Sequence, residues 1–241
     1  MQTPSDPKKF LSIDIGGSHI KATVLDQEGK QIKEYEKIQT PSPASPENLM
    51  QAIKTLTKDF PAYDLISAGF PGYVKDGTVF TAPNLGTDLW RNTNLKKLLK
   101  DNLGKDAIVV NDADMQGMGV IGGKGFEMVI TLGTGFGTAL FFNGKLLPHL
   151  ELAHLQVTKS KTYDVYLGDK ALHEIGAGRW NKRAKKVLDN FNTVFNYDFL
   201  YIGGGNASKI DFKLEGNVKI VSNREGIKGG PRLWQQDEKP V

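Results

Sequence analysis

Phe10-Leu11-Ser12-Ile13-Asp14-Ile15-Gly16-Gly17-Ser18-His19-Ile20-Lys21-Ala22-Thr23-Val24-Leu25 is the stretch on which the fold turns. Phe10 to Asp14 is a short apolar run of the kind a buried strand needs, and Gly16-Gly17 follow at once. From His19 to Leu25, apolar Ile20, Ala22 and Val24 alternate onto one face, which is strand periodicity. Asp26-Gln27-Glu28-Gly29 makes a turn, and Gln31 to Gln39 reads as a third, more exposed strand. Three successive antiparallel strands therefore precede any helix.

Downstream, Ser45 suits a helix cap and Pro46 the first helical position, where its missing N–H is not needed. Leu49, Ile53, Leu56 and Phe60 then recur at helical spacing. Asp64 to Phe70 is a strand broken by Pro71-Gly72, and Tyr73-Val74 with Thr78-Val79-Phe80 forms a hairpin around Lys75-Asp76-Gly77. A helix from Asn94 to Leu103 stops at Gly104, and Ala107 to Val110 is a buried strand ending in Asn111-Asp112. The theme then restarts. Met128 to Leu132 and Thr138 to Phe142 are strands around the turn Gly133 to Gly137, helices follow over 163–175 and 179–196, and Phe199 to Ile202 leads into Gly203-Gly204-Gly205. The chain reads as α/β in two hairpin-led lobes, 1–110 and 111–241, with a hinge near Asn111.

Composition narrows the function classes. The 241 residues contain no cysteine, which excludes disulfides and Cys-ligated zinc. Lys plus Arg number 31 against 27 Asp plus Glu, a net charge of +4 too mild and scattered for a dedicated nucleic-acid tail. Apolar runs fall far short of the ~20 residues of a membrane span, and the first seven residues are not of signal-peptide type. No membrane partner and a cytoplasmic location are the expectations.

The two glycine turns share one layout: apolar strand, glycines with hydroxyl residues, then another strand. Backbone N–H groups in such a turn approach an anion closely and make a concave phosphate nest. Either alone reads first as a tight hairpin; their recurrence at the start of each half favours the nest. No helix follows either turn, which excludes a dinucleotide fingerprint, and no Gly-Lys pair is followed by Ser or Thr as a Walker loop requires. Phosphoryl transfer is the chemistry that two phosphate hairpins suggest.

Five motifs in order carry a resemblance. Asp14-Ile15-Gly16-Gly17-Ser18-His19-Ile20-Lys21-Ala22 resembles the first phosphate motif of the actin-like sugar kinases, and Thr131-Leu132-Gly133-Thr134-Gly135-Phe136-Gly137 the second. Asn111-Asp112-Ala113-Asp114 is similar to the sugar motif of the ROK family (repressors, open reading frames and kinases). Glu151-Leu152-Ala153-His154 resembles its Glu-x-Gly-His motif, and Gly203-Gly204-Gly205 its adenosine-side loop. The resemblance, which is strongest in style to its polyphosphate-dependent glucokinases, implies a two-lobed actin-like, ribonuclease-H-like fold with a cleft between lobes. It implies transfer of a phosphoryl group from polyphosphate or ATP to the 6-hydroxyl of glucose or a related hexose.

Residue by residue, the resemblance makes Asp112 the general base; for an isolated Asp, a helix cap would be the ordinary reading. It makes Asn84, Asn111, Glu151 and His154 sugar ligands. Gly16, Gly17, Ser18, Lys21, Gly133, Thr134, Gly135, Gly203, Gly204 and Gly205 then hold phosphate or nucleotide. Asp14 would hold Mg²⁺ through water. Lys21 reads equally as a solvated side chain. Ala153 stands where the family has glycine, and a further sugar carboxylate falls among Asp164, Asp169 and Glu174. The family's zinc cysteines are absent, so no zinc is expected, and a homodimer accords with the resemblance. The nine residues before Phe10 are too few for a helix-turn-helix domain, so no nucleic-acid partner is expected. The runs Lys96-Lys97-Lys100 and Lys182-Arg183-Lys185-Lys186 read as solvated helix faces or, alternatively, as a track for a polyanion.

Overall fold

The expected meander is present: β1 (Phe10–Ile15), β2 (His19–Leu25) and β3 (Gln31–Gln39) pair antiparallel, with Asp14 opposite Lys21 and Ile15 opposite Ile20. The structure is a computed structural model and describes residues 7–236. Helix α1 (Pro46–Thr57) starts as its sequence dictates, with Asn48 N donating to the Ser45 Oγ at 3.3 Å and Leu49, Ile53 and Leu56 buried. Next, β4 (Leu65–Phe70) pairs parallel to β1. Strands β5 (Val74–Lys75) and β6 (Thr78–Val79) form the expected hairpin, with Asp76 and Gly77 both at positive φ, as a two-residue Asp-Gly turn requires. A short helix α2 (Thr87–Trp90) and strand β7 (Thr93–Asn94), which joins β6, were not legible in the sequence.

Helix α3 (Leu95–Leu103) is capped by the Asn94 side chain and ended by Gly104 in the left-handed region. Strand β8 (Asp106–Asn111) then pairs parallel to β4, giving the order β3-β2-β1-β4-β8. Helix α4 (Asp112–Val120) follows without a loop. Its Ala113, Asp114, Met115, Gly117 and Met118 are all buried. A helix buried nearly all round shows no amphipathic period, which is why the sequence reading passed over it.

The chain divides into two compact units, but not at residue 110. One comprises the chain up to Gly119 together with the segment from Gly226 onward; the other is Val120–Glu225. The return of the C-terminal segment explains two odd residues. Ser12 and Ser67 sit fully buried in β1 and β4, where strands of a covered sheet are normally apolar. The Ser12 Oγ donates to Ile227 O at 2.6 Å and the Ser67 Oγ to Gly230 O at 2.7 Å, while Trp234 Nε1 donates to the Ser67 Oγ at 3.0 Å. A Cβ on Gly230 would lie 2.5 Å from the Ser12 Oγ, so backbone passes directly over the sheet.

The second unit centres on β9 (Phe126–Leu132), β10 (Phe136–Phe142), β11 (Lys145–Leu146), β12 (Phe199–Gly203) and β13 (Val218–Ile220), ordered β11-β10-β9-β12-β13. The single helix expected over 163–175 is two: α5 (Tyr163–Leu167) and α6 (Asp169–Ile175). The break at Gly168 lets Asp169 N donate to Gly133 O at 2.8 Å, a contact a continuous helix would forbid. Helix α7 (Ala177–Phe195) packs Trp180, Ala184, Val187, Leu188 and Phe191 into this unit's core. Two short C-terminal helices, α8 (Asn223–Gly226) and α9 (Gly230–Leu233), complete the described chain. No helix among the described residues is long and apolar enough to cross a membrane.

One fully buried carboxylate shapes the entry to the second unit. Glu127 accepts from Gly122 N (2.6 Å), Gly123 N (2.7 Å), Lys124 N (3.1 Å) and the Tyr201 hydroxyl (2.9 Å). Burial, and then the hydrogen bond and charge of Glu127, push the Tyr201 phenol up to about 12. Its stabilising contribution is therefore complete below the ordinary tyrosine value of 10.0 and is lost as pH rises towards about 12. Glu127→Ala leaves three part-buried backbone N–H groups and the Tyr201 hydroxyl without this acceptor and should lower unfolding stability by roughly 1–3 kcal/mol in denaturant titration. The same variant should bring the Tyr201 phenol back towards its ordinary range in an alkaline absorbance titration.

Candidate active site

In the first unit the candidates gather at the carboxyl-terminal ends of β1 and β8, the edge where open α/β sheets bind ligands. Asp14 is almost fully buried, and its Oδ2 lies 2.9 Å from Lys21 Nζ, its partner in the antiparallel register. Burial pulls the Lys21 ammonium down. The charge and hydrogen bond of Asp14, with further attraction from Tyr35 and Asp112, outweigh that pull and leave it above its ordinary value. Lys21 is thus held in a carboxylate field that includes Asp112, and is not simply solvated. The ion pair stabilises fully below the ordinary lysine value of 10.5 and fades at more alkaline pH.

The turn between these strands is tied from one side. Gly16 N donates to His19 O at 3.0 Å, Thr40 Oγ1 donates to Gly16 O at 2.6 Å, and Thr40 N to Ser18 O at 3.0 Å. Gly17 N and Ser18 N donate to no group among the described residues, and both residues are exposed. Asn84 lies against this turn: a Cβ on Gly17 would sit 3.2 Å from Asn84 Cβ. Asn111 is buried and committed to backbone, with Nδ2 donating to Gly72 O at 3.1 Å and Oδ1 accepting from Ala113 N at 2.8 Å. Asp112 is the first residue of α4, half-buried, and its Oδ1 accepts from Ala113 N at 2.9 Å. The Asp112 carboxylate thus holds the backbone at the start of α4, as the helix-cap reading expects.

In the second unit the turn Gly133-Thr134-Gly135 is built the same way. Gly133 N donates to Gly135 O at 3.0 Å, whereas Thr134 N and Gly135 N donate to no group among the described residues. Beneath the turn, Asp164 Oδ1 accepts from Phe136 N at 2.8 Å. A Cβ on Gly135 would fall 2.2 Å from that same oxygen, so glycine is required for the carboxylate to reach the strand. Asn206 donates through Nδ2 to Gly133 O at 3.3 Å and to Asp169 Oδ1 at 3.2 Å. Gly204, at φ 90°, passes so close to Leu132 that a Cβ would lie 2.1 Å from its carbonyl oxygen. The Gly203–Gly205 segment is thereby fastened to the phosphate turn.

Glu151 and His154 bracket a single 3-10 turn, Leu152–His154, with His154 N donating to Glu151 O at 3.1 Å. Glu151 Oε1 lies 3.5 Å from Nε2 of His149, whose side chain is buried, and the His154 side chain is exposed. Ala153 is buried in the second core, so the methyl that replaces the family's glycine is absorbed by packing. Sequence reasoning did not assign Asp164 and Asn206 to the phosphate turn. Asp164 stood among the candidate sugar carboxylates and Asn206 carried no role; only the fold brings both to Gly133–Gly135. Asp169 also pairs with His173 at 3.3 Å, and Glu174 with Lys170 at 3.8 Å.

The ROK family model matches residues 10–158, well over half of the chain. The chain belongs to the ROK family. Among ROK proteins, the polyphosphate glucokinase of Mycobacterium leprae is 33% identical over 235 residues, covering 91% of this chain and 72% of that protein. The solved inorganic polyphosphate/ATP-glucomannokinase of Arthrobacter sp. strain KM superposes with a TM-score of 0.85 at 29% identity, covering 95% of this chain and all of that one. A ROK glucokinase from Streptomyces griseus, solved with glucose and AMPPNP, shares the fold at a TM-score of 0.77 and 21% identity, covering 93% of this chain and 98% of that one. The two-lobed ROK kinase fold expected from the motifs is the fold of this chain.

Gly135→Ala tests the second turn. Its methyl displaces Asp164 from Phe136 N, so donor-dependent turnover should fall about tenfold or more, with secondary structure by circular dichroism retained.

Proposed function

We propose that this ROK protein is a hexokinase-type phosphotransferase that moves a phosphoryl group from inorganic polyphosphate or ATP to the 6-hydroxyl of glucose. The product is glucose 6-phosphate. The relatives' activities support the reaction, and the observation that carries it in this chain is the pair of glycine turns. Each turn offers two backbone N–H groups that bond no protein group among the described residues. Such pairs, fixed in advance, stabilise charge on a transferring phosphoryl group without reorganising during the reaction.

The residues divide the work. Asp112 accepts the proton of the sugar hydroxyl as its oxygen attacks phosphorus and the bond to the leaving phosphate oxygen breaks. Glu151 and His154 bind and orient the sugar, together with Asn84. Asn111 shapes the start of α4 and so aims Asp112. The Gly133–Gly135 turn, supported by Asp164, Asp169 and Asn206, holds donor phosphate, and Gly203–Gly205 lies on the nucleotide side. Lys21 and the Gly17 and Ser18 amides meet negative charge at the transferring group.

The acid set also fits magnesium. No group of three or more His, Cys, Asp or Glu side chains forms a metal cage among the described residues. Mg²⁺ needs none, since it borrows phosphate oxygens and waters and takes one or two carboxylates. Asp14 would hold it, and the ion would neutralise donor charge. The reading includes a cytoplasmic homodimer, the assembly being checked by light scattering.

Two measurements test the proposal. In a donor-by-sugar matrix with Mg²⁺, glucose should turn over with polyphosphate, ATP or both; absence of glucose phosphate with either donor would overturn it. Asp112→Asn, which keeps the shape but not the basicity, should lower kcat by about 10²–10⁴ with glucose binding retained. A folded variant turning over at the wild-type rate would remove Asp112 from its role.

A further inference from the structure

Helix α7 carries four cations on one face. Arg179, Lys182, Arg183 and Lys186 recur at spacings of three and four residues, across the helix from the buried Ala184 and Leu188. They cover about 10 Å of helix axis, at 1.5 Å per residue. Arg179, Lys182 and Lys186 are exposed and have no ion-pair partner among the described residues. Lys185, on another face, pairs with Asp189 at 2.9 Å. The other basic run behaves differently: on α3, Lys97 pairs with Asp101, and Lys100 pairs with Asp106 at 2.8 Å. Of the two runs, the one on α7 keeps three exposed cations in line without an ion pair among the described residues.

That line is anchored to the phosphate turn from two sides. Arg183 Nη1 donates to Tyr166 O at 3.1 Å, and its guanidinium lies 4.4 Å from the Tyr166 ring centroid. Tyr166 belongs to α5, the helix whose Asp164 holds Phe136 N. On the other side, Asn181 of α7 donates to Lys209 O at 2.9 Å and accepts from Asp211 N at 3.1 Å. Lys209, exposed and without an ion-pair partner among the described residues, ends the turn that begins at Asn206, the residue bonded to Gly133 O. Two supports of Gly133–Gly135, Asp164 on α5 and Asn206, thus lead to the same half of α7.

We propose that Arg179, Lys182, Lys186 and Lys209 form a binding track for inorganic polyphosphate, receiving the chain beyond the phosphoryl groups held at Gly133–Gly135. A linear polyanion with charge on every unit gains from a line of cations, whereas a nucleoside triphosphate ends in an uncharged base and gains little. Nucleic acid is the poorer match, because the stripe presents no uncovered aromatic ring on which a base could stack; Tyr166 is covered by Arg183. The inference rests on the donor reading above.

The test is steady-state kinetics of the triple variant Arg179→Gln, Lys182→Gln, Lys186→Gln, three exposed side chains whose removal leaves the core intact. The KM for long-chain polyphosphate should rise about tenfold or more, and its dependence on salt should flatten. The KM values for ATP and glucose, and kcat with ATP, should stay at wild-type values. The charge-keeping pair Lys182→Arg, Lys186→Arg should retain wild-type polyphosphate kinetics. If the wild type uses polyphosphate and the triple variant uses it equally well, the track is wrong and the donor reading stands. If the wild type uses ATP alone, the donor reading fails and takes the track with it. Duplex DNA binding that is lost in the triple variant, with polyphosphate kinetics unchanged, would assign the stripe to nucleic acid and overturn the proposal.

Discussion

The parallel pairing of β1, β4 and β8 is the constraint on which the first unit's chemistry depends. Backbone register sets Asp14 beside Gly69 and Phe70 beside Asn111, so the acid on β1 and the acid after β8 emerge at one edge of the sheet. Gly69 lets α4 begin close to β4: a Cβ there would lie 3.2 Å from Asp112 Cα and 3.4 Å from Met115 Cβ. Slipping β1 by one residue against its neighbours would turn Asp14 to the opposite face. The register is protected by burial on both faces, through α1 and α3 in the core and the returning Ile227–Trp234 segment across Ser12 and Ser67. Catalytic geometry is thus bound to the same hydrogen bonds that hold the sheet.

The second unit uses carboxylates where the first uses register. Glu127 gathers three consecutive amides, and Asp164 caps the strand that leaves the phosphate turn. A hydrogen bond from backbone N–H to an ionised acceptor is worth roughly 1.5–3 kcal/mol, more than its neutral counterpart, and it has a fixed direction. Direction is what the turn requires. The amides that point to a protein acceptor are satisfied from below, which leaves Thr134 N and Gly135 N without a protein acceptor among the described residues. Asp164 also adds negative charge beneath a turn meant for phosphate. That unfavourable contribution is limited because the carboxylate is engaged with Phe136 N, and the exposed side of the turn is the side that solvent and ligand reach.

The readability of this chain followed the range of the forces involved. The β1–β2 hairpin, α1 with its Ser45 cap, the Asp76-Gly77 turn and the stop at Gly104 are local, and their signals lie within a few residues. The motif glycines were legible for the same reason, since a turn needs them whatever else the fold does. Helix α4 was not, because burial on all sides erased its period, and the gap at Gly168 was not, because its cause is Gly133, far upstream in sequence. Asp164 and Asn206 carry no local mark of their duty. An Asp at a helix start and an Asn after glycines have ordinary uses, and only tertiary contact distinguishes these from them.

Charge shows the same distinction between total and arrangement. A net +4 in 241 residues is unremarkable as a sum, and two basic runs of similar composition look alike in the sequence. The structure separates them by their neighbours: α3 places Asp101 one turn after Lys97 and lies beside Asp106, so its field is cancelled within a few ångströms. Helix α7 has one acid, Asp189, which pairs with Lys185, while Arg179, Lys182 and Lys186 have no ion pair among the described residues. At physiological salt the Debye length is about 8 Å, so paired charges have little reach, while a row of unpaired ones overlaps along the helix into a continuous field. A field of that form discriminates by the length of the anion, and anion length is the property that separates polyphosphate from ATP.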